Sequence, residues 1–121
     1  MGQSNQEVFI VTGVSTGLGR AFAREALGMG HRVVGTVRSE EARVEFEKLA
    51  PGLAVGRILE MTDTAAIAPF VAEVQHALGR VDVLVNNAGY GHEGTVEESP
   101  LSELRHQMEV NFFGTVALTQ A

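Results

Sequence analysis

Thr12-Gly13-Val14-Ser15-Thr16-Gly17-Leu18-Gly19 decides the fold. It follows the apolar, β-branched run Glu7-Val8-Phe9-Ile10-Val11-Thr12 and opens a stretch of helical spacing, so it joins a buried strand to a helix. Three glycines at such a junction meet three demands. The chain must reverse tightly, let a phosphate group approach the backbone, and set the helix close on the sheet; a side chain would obstruct each. The free N–H groups of the helix start, near Gly17 to Gly19, then face an anion that the helix dipole favours. A turn that merely needs glycine is the plainer alternative, but the strand before and the helix after supply the context of a dinucleotide-binding turn. A P-loop fits less well, because no Lys-Ser or Lys-Thr pair closes the motif.

Outward from the turn, apolar runs alternate with helical patterns. Gly17 to Met29 reads as the first helix, with Leu18, Ala21, Phe22, Glu25 and Ala26 on neighbouring turns and Gly28 and Gly30 ending it. His31 to Val37 is a second strand. Ser39 has the form of a helix N-cap, backed by Glu40 and Glu41 in the first turn, and that helix is expected to reach about Leu49 before Pro51-Gly52. Leu53 to Met61 reads as a third strand. Thr64 to Leu78 is a helix with Ile67, Phe70, Val71, Val74 and Leu78 on one stripe, where Pro69 implies a late start or a kink. Val81 to Asn86 is a fourth strand. Ser99-Pro100 reads as an N-cap followed by Pro at the first helical position, and Phe112 to Ala121 still reads as helix. The order βαβαβαβα implies a Rossmann-like α/β fold, a doubly wound parallel sheet with expected strand order 3-2-1-4.

Composition narrows the function. The 121 residues are 45 % apolar and 20 % charged, with no cysteine and a formal charge of −6. That balance suits one domain with a core, speaks against a nucleic-acid partner, and offers neither a disulfide framework nor a thiolate metal site. No metal site is expected from the scattered histidines either. No apolar run approaches the roughly 18 residues of a membrane span and the first residues do not form a secretory signal, so a cytoplasmic protein without a membrane partner is the expectation.

The spacing Thr-Gly-x-x-x-Gly-x-Gly at 12–19, with Asn86-Asn87-Ala88-Gly89 closing the fourth strand, resembles the short-chain dehydrogenase/reductase family in its non-extended branch. Asp63 after the third strand and Asn111 in Val110-Asn111-Phe112 fit in register, and the resemblance runs from Val8 to the end. It implies that Gly13, Gly17 and Gly19 line a pyrophosphate, with Ser15, Thr16 and Leu18 touching the cofactor from the same turn. Asp63 would accept from the adenine amine beside Met61 and Thr62. Asn87, Ala88 and Gly89 would pass under the adenosine ribose, and Asn86 would tie the strand ends together. Asn111, the one catalytic residue carried over, would place a helix carbonyl and a water for a proton relay. Read without the family, Asp63 is an N-cap and Asn111 a solvated helix residue. Tyr90, His92 and Glu93 read as loop residues.

The end of the second strand bears on the choice of nicotinamide. Gly35-Thr36-Val37-Arg38-Ser39 has Val37 where an acid would bind a ribose 2′-hydroxyl, followed by a guanidinium and a hydroxyl able to clamp a 2′-phosphate. NADP(H) is therefore expected over NAD(H). The alternative is a solvated Arg38 paired with Glu41.

The family's proton donor is a Tyr four residues before a Lys. Here the residue four after Tyr90 is Gly94, and the one Lys is Lys48. The chain is thus expected to be a dinucleotide-binding domain, residues 1–121, cut before that segment and inactive alone, from an NADP(H)-dependent oxidoreductase that interconverts a small-molecule carbonyl and a secondary alcohol. The alternative is a non-catalytic dinucleotide-binding module. The resemblance further implies a parent that forms homodimers or homotetramers through the helix starting near Leu101 and the one after it.

Overall fold

The computed structural model describes residues 6–88, 97 and 100–121. Strand β1 (Val8–Val11) leads through the glycine turn to α1 (Gly17–Gly28), then β2 (Arg32–Val37), α2 (Glu40–Glu47), β3 (Ala54–Ile58), α3 (Thr64–Leu78) and β4 (Val83–Val85). A last helical run comprises α4 (Leu101–Met108), a π-helical stretch Glu109–Gly114 and α5 (Thr115–Gln120). The four strands form a parallel sheet in the order β3-β2-β1-β4, as the sequence implies.

The two-residue period of the strands divides the core between the faces of the sheet. Ile10 and Val34 face α3 and α5, where they meet Ile67, Phe70, Val71, Val74 and Leu118. Val11, Val33 and Val37 point the other way, toward Ala23, Ala26 and Leu27 of α1 and Phe46 of α2. Both faces of β1 and β2 are therefore covered, which is why these strands read as unbroken apolar runs rather than alternating ones. Ile67, Phe70, Val71 and Val74 of the stripe read on α3 are buried, and that helix starts at Thr64 with Pro69 inside it rather than starting late.

Several boundaries differ from the sequence reading. α1 turns Gly19, Ala23, Ala26 and Leu27 inward, whereas Leu18 and Phe22 are exposed. Small residues win the inner face because they let the helix axis approach the sheet. The third strand stops at Ile58, and Leu59 to Asp63 is the connection into α3. α4 begins at Leu101 with Pro100 in the N-cap position, one residue later than expected; Ser99 lies outside the described residues. The Ser39 cap is present: its hydroxyl accepts from the Ala42 N–H at 3.1 Å.

The entry to β1 is tied to the entry to β4 by Asp82. One carboxylate oxygen accepts from the Val8 N–H at 2.8 Å, and the other faces the Arg80 guanidinium at 2.9 Å. Arg80, and then the Val8 N–H, hold this carboxyl below its ordinary value of 3.8. A carboxylate with a lowered folded pKa contributes stability above its unfolded pKa, and the contribution is lost as pH falls through the folded value. The stability gap between the wild type and Asp82→Asn is therefore expected to be full at pH 7 and to close below about pH 4. Urea midpoints of both proteins across that range check it; a gap independent of pH would contradict the assignment.

Candidate nucleotide site

A cleft of about 280 Å³ opens where the carboxyl ends of all four strands meet. Its walls come from four separate segments: Gly13, Ser15 and Thr16 after β1, Thr36 to Arg38 at the end of β2, Leu59 to Met61 after β3, and Asn87 and Ala88 after β4. Val110, from the π-helical stretch, closes one side. In an open parallel sheet this is the crevice created where successive connections leave in opposite directions, here between β1 and β4.

Hydrogen bonds lace the glycine turn to its neighbours. The hydroxyl of Thr12, a residue only 1 % exposed, accepts from the N–H groups of Asn87 (2.9 Å) and Ala88 (2.8 Å). The Asn87 side-chain amide donates to the Gly13 carbonyl at 3.1 Å. On the other flank the Gly13 N–H donates to the buried Thr36 hydroxyl at 3.1 Å, and the Val14 N–H to the Thr36 carbonyl. The turn is thereby fixed to β2 and β4 at once.

The glycines have distinct physical reasons. Gly13 (φ +72°) and Gly17 (φ +63°) occupy the left-handed region that a side chain disfavours. Gly19 has ordinary helical geometry, but a Cβ there would run into the Gly13 carbonyl and the Asn87 amide. α1 begins on Thr16, whose side chain makes no capping bond. The leading N–H groups of the helix are thus left without a side-chain acceptor beside the cleft, an arrangement suited to a phosphate oxygen. The donor set and the glycine cradle fit a dinucleotide pyrophosphate.

Other expected residues divide by position. Ser15, Thr16, Arg38, Met61, Asn87 and Ala88 line the cleft, while Ser39 stands next to Arg38 as the α2 cap. Leu18 is 65 % exposed on α1, outside the lining. Thr62 and Asp63 also lie outside it; Asp63 occupies the N-cap position of α3 without a side-chain capping bond. Gly89, with Tyr90, His92 and Glu93, falls outside the described residues. Asn86 donates to the Thr119 hydroxyl at 3.1 Å, which ties the end of β4 to α5. Asn111 is exposed within the π-helical stretch, next to Val110 on the cleft wall.

Four features escaped the sequence reading. Thr12 and Thr36 hold the turn, and among the described residues Glu60 is the one acid lining the cleft. Among the described residues Arg38 is the one base there, and it pairs with Glu60 at 3.7 Å rather than with Glu41. The fourth is the π-helical stretch. It sets Gly114 against the cleft wall so closely that a Cβ would lie 2.5 Å from the Met61 carbonyl oxygen. Among the described residues no helix is long and apolar enough to cross a membrane.

The short chain dehydrogenase family model matches residues 7–121. An NADPH-dependent 3-dehydrocapnine reductase from Ornithobacterium rhinotracheale is 40 % identical over 113 residues, covering 92 % of this chain and 40 % of the relative. The mouse dehydrogenase/reductase SDR family member 7B is 36 % identical over 94 % of this chain and 38 % of its own length. A short-chain dehydrogenase from Streptomyces avermitilis superposes with a TM-score of 0.92 at 41 % identity, covering 99 % of this chain and 44 % of that one. A metagenomic short-chain oxidoreductase solved in complex with NADP superposes at 0.87 with 37 % identity, over 95 % of this chain and 54 % of its own. The chain spans about 40 % of the length of the curated relatives it matches. With the sheet order, the laced glycine turn and these matches in agreement, the chain belongs to the short-chain dehydrogenase family.

Proposed function

We propose that this chain is the cofactor-binding part of an NADP(H)-dependent oxidoreductase that interconverts a carbonyl and a secondary alcohol. The observation that carries the reading is the cleft itself: a helix N-terminus without a side-chain cap at one end and Arg38, the one basic lining residue among those described, at the other. One end suits a pyrophosphate and the other a 2′-phosphate. A relative whose name includes NADPH dependence and a structural neighbour that holds NADP support the same choice.

In this reading the α1 N–H groups and the Gly13, Gly17 and Gly19 backbone receive the pyrophosphate, flanked by Ser15 and Thr16. Arg38 and Ser39 receive the 2′-phosphate. Ser39 already accepts from Ala42, yet its hydroxyl hydrogen stays available to a phosphate oxygen. Asn87, Ala88 and Gly89 support the adenosine ribose, and Met61 bounds the adenine end, with Thr62 and Asp63 next along the chain. The nicotinamide, when bound, supplies or accepts the hydride. Asn111 contributes a backbone carbonyl to a proton relay whose Tyr-x-x-x-Lys donor is not among these 121 residues. Exposed Leu101, Met108, Phe112, Phe113 and Val116 along α4, the π stretch and α5 support a dimeric or tetrameric whole protein.

Arg38→Ala is expected to weaken NADPH binding about 10- to 100-fold, the worth of a lost charge-assisted contact, and NADH binding by less than threefold. Calorimetric titration of both nucleotides decides it. Equal loss for the two would remove the phosphate clamp.

A further inference from the structure

We propose that Thr36 is a positioning residue: its hydroxyl fixes the span between the glycine turn and Arg38, so that a nucleotide with two separate phosphate groups engages both ends of the cleft at once. The inference rests on the NADP(H) reading above and adds what sets the distance between its two anchors.

Thr36 lines the cleft yet is only 2 % exposed, because it meets the turn with two atoms. Its hydroxyl oxygen accepts from the Gly13 N–H at 3.1 Å, and its carbonyl accepts from the Val14 N–H at 3.1 Å. The β1–β2 ladder ends at Val11 and Gly35, so these two bonds carry the contact past the end of the sheet pairing. Packing reinforces them. Val14 is buried against Gly35, where a Cβ would lie 2.5 Å from a Val14 methyl carbon and 2.8 Å from the Phe46 ring of α2. Among the described residues, Thr36 is the one residue of β2 whose side chain hydrogen-bonds to the turn.

Arg38 follows two residues later, and the strand between them is held by the pairing of Thr36 and Val37 with Arg57 and Ile58 of β3. Its side chain is 77 % exposed, so Thr36 fixes the root of the arginine and leaves the guanidinium to swing. A ligand with one phosphate is indifferent to the span, since either anchor serves alone. A ligand with two phosphates on one ribose is not. Its second contact is intramolecular, and what that contact adds depends on anchors standing at the ligand's own separation. Without the hydroxyl the Gly13 N–H loses its acceptor, and a buried backbone donor must find another. Re-pairing requires the Thr12–Gly13 peptide to rotate, which moves the turn against β2. Each anchor survives that movement, but their separation does not.

The test is calorimetric binding of adenosine, 2′-AMP, 5′-AMP and 2′,5′-ADP to the full chain, as wild type, Thr36→Val and Thr36→Ser. In the wild type the gains that the two phosphates bring over adenosine are expected to add within about threefold. Thr36→Val is expected to bind each monophosphate within about threefold of the wild type and 2′,5′-ADP about 10- to 30-fold more weakly. Thr36→Ser keeps the hydroxyl and is expected to bind all four within about twofold of the wild type. Equal weakening of all four by valine would overturn the proposal, since Thr36 would then support the fold and not the span. A serine variant with the valine pattern, or a valine variant with unchanged 2′,5′-ADP binding, would overturn it as well. So would wild-type gains that fall short of adding by about tenfold, a result that needs no variant to fold. A wild type in which the 2′-phosphate adds nothing to either adenosine or 5′-AMP would instead remove the NADP(H) reading, and the proposal with it.

Discussion

Thr12→Val is expected to lower the stability of the fold by about 2–4 kcal/mol, a large effect for a change that conserves shape. Valine fills the same volume, so no cavity forms. What disappears is the acceptor for two partly buried N–H groups, those of Asn87 and Ala88. Each stranded donor carries a desolvation penalty of about 1–3 kcal/mol, and the penalty exceeds anything the extra methyl returns through burial. Thr12→Ser keeps the hydroxyl and should stay within about 1 kcal/mol of the wild type. Chemical denaturation of the three proteins separates hydroxyl from methyl. A valine variant with the wild-type midpoint would show that the lacing between the glycine turn and the end of β4 contributes nothing.

Gly19→Ala is expected to cost about 3 kcal/mol or more and to remove nucleotide binding. Helix propensity alone points the other way, since Ala is favoured over Gly in a helix by about 1 kcal/mol. The methyl, however, would overlap the Gly13 carbonyl and the Asn87 amide, two groups fixed by the same hydrogen-bond lacing. Overpacking against backbone outweighs the propensity gain because neither neighbour can swing aside. Gly17→Ala is the informative control. Nothing lies within 4 Å of its missing Cβ, so the cost there is the left-handed backbone alone, about 1–2 kcal/mol. If Gly17→Ala proved the more damaging of the two, close packing would not be the reason for the third glycine.

The sequence carried the topology because strand and helix periods are local signals. Ser39 as a cap, Thr64 to Leu78 as a helix and the turn at 12–19 each depend on residues within a few positions of one another. What it did not carry was decided between distant segments. Leu18 and Phe22 have the look of a core stripe, yet the sheet selects Gly19, Ala23 and Ala26 because it needs closeness more than bulk. Arg38 has an acid three residues on, yet it meets Glu60, which the parallel pairing of β2 with β3 brings alongside. The same pairing explains why Glu60, and not Asp63, lines the cleft: Leu59 to Met61 pass the end of β2 before the chain turns into α3. Thr12 gave no local sign of its role, for its partners lie 75 and 76 residues away. The π-helical stretch was equally silent, since Val110 to Phe113 has nothing to distinguish it from the helix around it.

Those separations also govern when the site comes into being. The central strand pairs with β2 across a short crossover but with β4 across more than seventy residues, and contacts that distant form late because the loop must close before any of them is gained. The glycine turn can take its shape early, but its Thr12 acceptor stays unused until β4 docks. On the proposed reading, a nucleotide that needs the walls from both strands therefore finds its grip only on chains in which β1 has paired with both β2 and β4. Its binding energy then drains the population of half-assembled chains rather than guiding their assembly, so the ligand acts on folding as a latch at the last step.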